Sequence, residues 1–193
     1  MLGSSSTRFG PLAVLFHWTV FLGVFALFAL GLYMTELDYY HPWYNSAPAV
    51  HKAAGILLLG LVLLRGAWRL FDRPPAPLDT HSTLERWTAR AVHGALYALL
   101  VLVPLSGILI ATADGRPIDV FGWFDVPALV SGLPRQEDMA GELHESLSWM
   151  LVGLASLHAL AALKHHIFDH DDTLRRMTLR PLRSPPPAQG DKP

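Results

Sequence analysis

The chain has 193 residues, 51% of them hydrophobic and 16% charged, which fits one domain but is too apolar for an ordinary water-soluble one. Basic and acidic residues nearly cancel (15 against 16), so there is no electrostatic reason to expect nucleic-acid binding. With no cysteine, disulfides, iron–sulfur clusters, thiolate ligation and covalent c-type haem attachment are all excluded.

The first apolar run, Phe9 to Thr35, carries no charge between Arg8 and Glu36 and predicts a helix over about 11–35. At about 1.5 Å per residue it crosses a bilayer core of roughly 30 Å. It is too long for a cleaved signal peptide and lacks a small-residue cleavage site, so a permanent anchor is expected. Residues 38–48 are rich in Tyr, Pro and Trp and read as a loop with interfacial aromatics. A second helix is expected over about 48–70, with Lys52 and Arg65 near its ends, where long basic side chains reach the interface. The proline-rich stretch 71–83 cannot stay helical. A third helix follows over about 84–112, with a kink expected at Pro104. Residues 113–140 read as a long loop with Pro117, Pro127, Pro134 and several aromatics. The fourth helix is expected over about 141–168. A single domain thus spans 7–182, with a disordered, proline-rich tail over 183–193.

Charge sets the orientation. Arg65, Arg69, Arg73, Arg86 and Arg90 surround the junction between the second and third helices, and Lys164, Arg175 and Arg176 lead into the tail. The other two loops are acidic, with Glu36, Asp38, Asp114, Asp119 and Asp125 among others. By the positive-inside rule both termini are cytoplasmic. The expected fold is therefore all-α: a four-helix transmembrane bundle, embedded in lipid, with both ends inside.

Ten histidines remain to be placed. His144 and His158 lie fourteen residues apart on an otherwise apolar fourth helix. At about 100° per residue they fall within roughly 40° of one face, about 21 Å apart along the axis. His17 lies about six residues inside the first helix and matches His158 in depth on the cytoplasmic side. His51 and His144 each lie near the outer start of their helices. Topology thus pairs His17 with His158 and His51 with His144, each pair suited to one bis-imidazole haem b. A lone intramembrane histidine is often only an interhelical hydrogen-bonding group, but two on one face with depth-matched partners favour ligation. With no thiolate or carboxylate at the same depth, haem iron suits these pairs better than zinc or copper. Gly55, one turn after His51, and Gly153, between the fourth-helix pair, leave space for a macrocycle, although glycine at helix contacts has a commoner packing explanation. His93 starts the third helix at a depth similar to His17 and competes for that pairing. His93, His165 and His166 near the inner interface are either solvated or bind a polar substrate. His41, His81 and His170 read as surface residues.

The motifs FHW at Phe16–Trp18, the His51 entry to the second helix, ELHESL at Glu142–Leu147 and GLASLHALAALKHH at Gly153–His166 resemble the bacterial di-haem cytochrome b-561 family. The resemblance covers nearly the whole chain, and the fourth-helix motif is its most specific part. It implies a four-helix protein of the bacterial inner membrane with two haem b groups. It also implies superoxide:ubiquinone oxidoreductase activity, taking electrons from superoxide on the periplasmic side and reducing ubiquinone near the cytoplasmic side. His17, His51, His144 and His158 match the family's four iron ligands, and His165 matches a histidine near the quinone. His93, Arg90 and Lys164 beside it are candidates for the same quinone site, since reduction adds charge and consumes protons. Lys52, beside His51, is a candidate partner for a haem propionate. No residue is assigned a catalytic role. The chain departs from the pattern at Lys164 and in its acidic outer loop, which opposes an anionic substrate; Lys52, Arg116 and Arg135 are the nearby offsets. The alternative is a cytochrome b anchor subunit exchanging electrons between quinone and a periplasmic redox protein that docks on that loop. A non-redox membrane protein with structural histidines is the third reading.

The topology is testable directly. Reporter fusions after Arg73 and at the C-terminus should both report cytoplasm, and a fusion near Gln136 should report periplasm. The opposite pattern would invert the bundle.

Overall fold

The computed structural model describes residues 2–78, 80–178 and 182. The tail expected to be disordered, 183–193, lies outside the described residues. Four helices dominate: α1 (Pro11–Thr35), α2 (Ser46–Phe71), α3 (Thr83–Ala111) and α4 (Gln136–Ile167). Each is long and apolar enough to cross a membrane. Many large apolar side chains point outward, including Leu15, Leu22, Leu64, Leu157 and Leu160, each more than half exposed. A belt of that kind is stable only against lipid. The protein is thus a multi-pass membrane protein.

Local chemistry sets the helix ends. Pro11 opens α1 at a position where a missing N–H costs nothing. Pro48 falls in the first turn of α2, so the helix starts at Ser46, ahead of it. Ser82 and Glu85 form a reciprocal capping box that starts α3 straight after the proline-rich stretch. α4 begins at Gln136, five residues earlier than the apolar pattern indicates. Glu137 and Asp138 favour this first turn through the positive end of the helix dipole. Gln136 locks it: its Nε2 donates to the Leu109 carbonyl (3.0 Å) and the Val130 carbonyl (2.8 Å), and its Oε1 accepts from Leu133 N.

The outer loop contains a small antiparallel hairpin, β1 (Ile118–Val120) and β2 (Phe124–Val126). Three-residue strands are too short to leave a period-two signal, so the sequence pattern shows only a loop. Phe121 and Gly122 turn the chain with positive φ (54° and 71°). Val120 is fully buried and Ile118 nearly so, where β1 packs on α2.

Around the bundle α1 packs on α2, α2 on α3 and α3 on α4, while α1 and α4 meet sparsely. This order puts α2 and α4 opposite each other. The core is a layer of Val20, Val24, Val62, Leu99, Leu100 and Leu151 near the middle of the helices. At the arginine-rich end, the segment after α4 makes a short 3-10 helix, Arg175–Met177, and folds back. Trp18 Nε1 donates to the Met177 carbonyl (2.8 Å), and Arg176 Nη1 donates to the Ala76 carbonyl (2.6 Å).

Replacing Gln136 with Ala removes the donor to two carbonyls. Unmet polar groups cost about 1–3 kcal/mol each. Gln136→Ala should therefore lower the thermal unfolding temperature in detergent, followed by circular dichroism, whereas Glu137→Gln should change it little.

Candidate functional site

Two histidine pairs lie above and below the apolar core layer. His51 of α2 faces His144 of α4, with ring centres 6.2 Å apart and ring planes at 79°. His17 of α1 faces His158 of α4 at 6.3 Å and 71°. An imidazole nitrogen sits about 2.0 Å from a bound transition metal and about 1.2 Å from its own ring centre, so two rings across one iron have centres about 6.4 Å apart. Both pairs have that separation. His93 approaches His158 more closely, at 5.1 Å, short of that span.

The outer pair borders a cavity of about 390 Å3, within the range of small-molecule and cofactor sites. Its lining includes Lys52, Gly55, Gly107, Arg116 and Glu137, and Ile118 of the hairpin closes one side. His144 is held from behind. Its Nδ1 lies 2.9 Å from the Val103 carbonyl and 3.1 Å from Ser106 Oγ. Ser106 Oγ itself donates to the Val103 carbonyl (2.7 Å), so Nδ1–H donates to these oxygens and Nε2 keeps its lone pair. This carbonyl-held arrangement is typical of metal-binding histidines. His51 Nδ1 is buried without a hydrogen-bond partner among the described residues.

Two glycines that the sequence pattern does not single out permit these positions. A Cβ on Gly107 would meet His144 Cε1 at 3.2 Å, and one on Gly31 would meet His51 Cε1 at 3.3 Å. Their signal in the sequence is only a small residue on a facing helix at histidine depth. Gly55 and Gly153 serve differently, since a Cβ on either would meet nothing within 4 Å. Gly55 borders the cavity, whereas Gly153 lies on the exposed side of α4.

The inner pair is packed more tightly. Arg65 Nη2 lies 3.1 Å from His17 Nδ1. A guanidinium only donates, so here Nδ1 accepts and Nε2 carries the proton. Arg65 also stands over the Tyr97 ring at 5.4 Å, and a void of only about 20 Å3 remains beside them. The residues of the inner pair therefore fit an iron by spacing, provided that Arg65 yields Nδ1 when Nε2 ligates.

The remaining candidates spread out. Lys52 lines the outer cavity. Arg116 is paired with Asp114, and its hydrogen bonds hold the Asp114 carboxyl below the usual carboxylate range. Arg135 lies 3.6 Å from Asp138. Arg90 is exposed and stacks on Trp87 (4.5 Å). Lys164 Nζ donates to Asp169 (2.6 Å), and His165 Nδ1 lies 2.8 Å from Asp169 and 3.1 Å from Asp171. His81, expected at the surface, is instead largely enclosed, with Nε2 3.0 Å from Asp171. The physical reason is the returning C-terminal segment, which no local pattern announces.

The family model described as prokaryotic cytochrome b561 matches residues 8–179. Cytochrome b561 homolog 2 of Escherichia coli (strain K12) is 50% identical over 170 residues, covering 88% of this chain and 90% of that protein. The probable superoxide oxidase CybB of Yersinia pestis is 30% identical over 178 residues, covering 88% and 95%. Cytochrome b561 homolog 1 of Escherichia coli (strain K12) is 27% identical, covering 90% and 98%.

The two kinds of glycine separate in a simple experiment. Gly107→Val should displace the His144 ring and, if the outer pair ligates one of two haems, remove about half the haem absorbance per chain. Gly55→Phe should fill the outer cavity with the same result but without lowering helix content. Gly153→Ala should leave the spectrum unchanged.

Proposed function

Because the chain belongs to the prokaryotic cytochrome b561 family of membrane haem b electron-transfer proteins, we propose that it carries two haem b groups and moves electrons from superoxide on the periplasmic side to ubiquinone near the cytoplasmic side. The observation that carries this reading is the pair of histidine pairs, 6.2 and 6.3 Å between ring centres, on opposite sides of one apolar layer. His51 and His144 would hold the outer haem, and His17 and His158 the inner one. Haem b, when bound, supplies reversible one-electron chemistry.

The chain's own residues do the rest. The Val103 carbonyl and Ser106 orient His144 and fix its tautomer. Lys52 at the outer cavity is placed to hold a propionate. Two superoxide anions give up two electrons and release two molecules of dioxygen, and one ubiquinone takes those electrons with two protons. The protons favour titratable groups at the quinone end. His165, at the cytoplasmic end of α4 and flanked by Asp169 and Asp171, would be such a group, with Lys164 beside it; Arg90, stacked on Trp87, and His93 are further candidates. His93 packs on His158, with ring centres 5.1 Å apart.

The superoxide name belongs to the relative at 30% identity, while the relative at 50% carries no substrate in its name. A specific observation favours the second reading, an anchor subunit for a periplasmic redox partner. The hairpin exposes Phe121, Trp123 and Phe124 beside Asp119 and Asp125, which pair across the strands. An aromatic, acidic surface suits docking to a basic protein.

A reduced-minus-oxidised spectrum with a haem-to-protein ratio should give two low-spin haems per chain. His158→Ala should remove one, His144→Ala the other, and His93→Ala neither. Loss of a haem in His93→Ala but not in His17→Ala would re-pair the inner site. Ubiquinone reduction by purified protein supplied with superoxide alone supports the first reading, and His165→Leu should slow it with both haems retained. Reduction that requires an added redox protein supports the second.

A further inference from the structure

Among the described residues, one cluster of three metal-ligating side chains lies outside the two histidine pairs, at the arginine-rich end of the bundle. It joins three segments remote in sequence: the α2–α3 loop through His81, the last turn of α4 through His165, and the returning C-terminal segment through Asp171. His81 Nε2 and His165 Nδ1 lie 3.0 and 3.1 Å from the same carboxylate oxygen, Asp171 Oδ2. The two imidazole rings are 4.7 Å apart, and all three ligand atoms fall within 4.8 Å of one another. The side chains are enclosed, at 19%, 16% and 7% exposure for His81, His165 and Asp171.

We propose that His81, His165 and Asp171 form a binding site for a divalent transition-metal ion of the zinc class, distinct from the haem sites. Ligand bonds of about 2.0–2.1 Å at tetrahedral angles put donor atoms about 3.3–3.4 Å apart, within a few tenths of an ångström of the two N···O distances here. Two imidazoles and one carboxylate are a donor set that zinc favours, with the fourth corner left to water. The alternative is a latch of ordinary hydrogen bonds. Against it, His165 Nδ1 is buried close to two carboxylate oxygens yet is aligned to donate to neither. A metal would use that lone pair. It would also explain why the C-terminal segment folds back to this point, since one ion clamps the loop, the helix end and the tail together. Asp169, 2.8 Å from His165 Nδ1 and bonded to Lys164, supplies additional negative charge beside the site.

The test uses haem-loaded protein with no polyhistidine tag, stripped with a chelator, equilibrated with zinc and desalted. Wild type should retain one zinc per chain by elemental analysis, and zinc should raise its unfolding temperature. His81→Gln keeps a hydrogen-bond donor toward Asp171 but offers zinc no good ligand, so it should bind zinc more than about tenfold more weakly. Asp171→Asn should do the same. His81→Cys, which supplies a thiolate, should restore binding, and this rescue separates ligand loss from misfolding. All variants should keep the haem spectrum of the wild type. A wild-type protein that retains no zinc, or a His81→Gln variant that retains as much as wild type, overturns the proposal. Both readouts follow the metal and not quinone turnover, so they stand apart from the electron route proposed above.

Discussion

A polar side chain inside a bilayer must find a partner within the protein, because lipid offers none. The architecture depends on how that demand is met at His144. Its Nδ1 is taken by the Val103 carbonyl and Ser106, which leaves Nε2 directed away from them as a ligand. The Val103 oxygen can serve both groups because a carbonyl oxygen has two lone pairs. Gly107, one turn later, lets the imidazole come within contact distance of the α3 backbone. Val103, Ser106 and Gly107 of α3 thus hold one histidine of α4 in a single orientation.

The rigid rise of α4 carries this order to the other end. Fourteen residues of uninterrupted helix place His158 on the same face, one apolar layer away. Leu151 lies midway and joins the core that separates the two pairs.

The two ends are built differently. The outer pair opens on a cavity, with His144 held by the Val103 carbonyl and Ser106 and with Ile118 of the hairpin in the lining. The inner pair is packed among Arg65, His93 and Tyr97, and the tail covers that end through Trp18 and Arg176. An end with a cavity suits exchange with small or docked donors. An end rich in guanidinium and imidazole groups suits an acceptor that gains charge and protons.

Much of this was legible in the sequence. Uncharged runs longer than a bilayer is thick have one stable form, a transmembrane helix, because every backbone group must be satisfied within the segment. Helical periodicity then placed His144 and His158 on one face, and the run order placed His17 at the depth of His158 and His51 at the depth of His144, since the rise per residue is constant. Other features depend on contacts between segments distant in the chain, and no local pattern records those. Gly31 and Gly107 have a role only because a histidine of another helix lies against each. The hairpin exists because Val120 and Ile118 find the side of α2. Gln136 starts α4 early because two carbonyls from other segments converge on its amide. His81 became an enclosed partner of Asp171 and His165 only when the tail returned to the bundle. Secondary structure in a membrane follows from composition along the chain, whereas the partner of each polar atom is decided by packing across it.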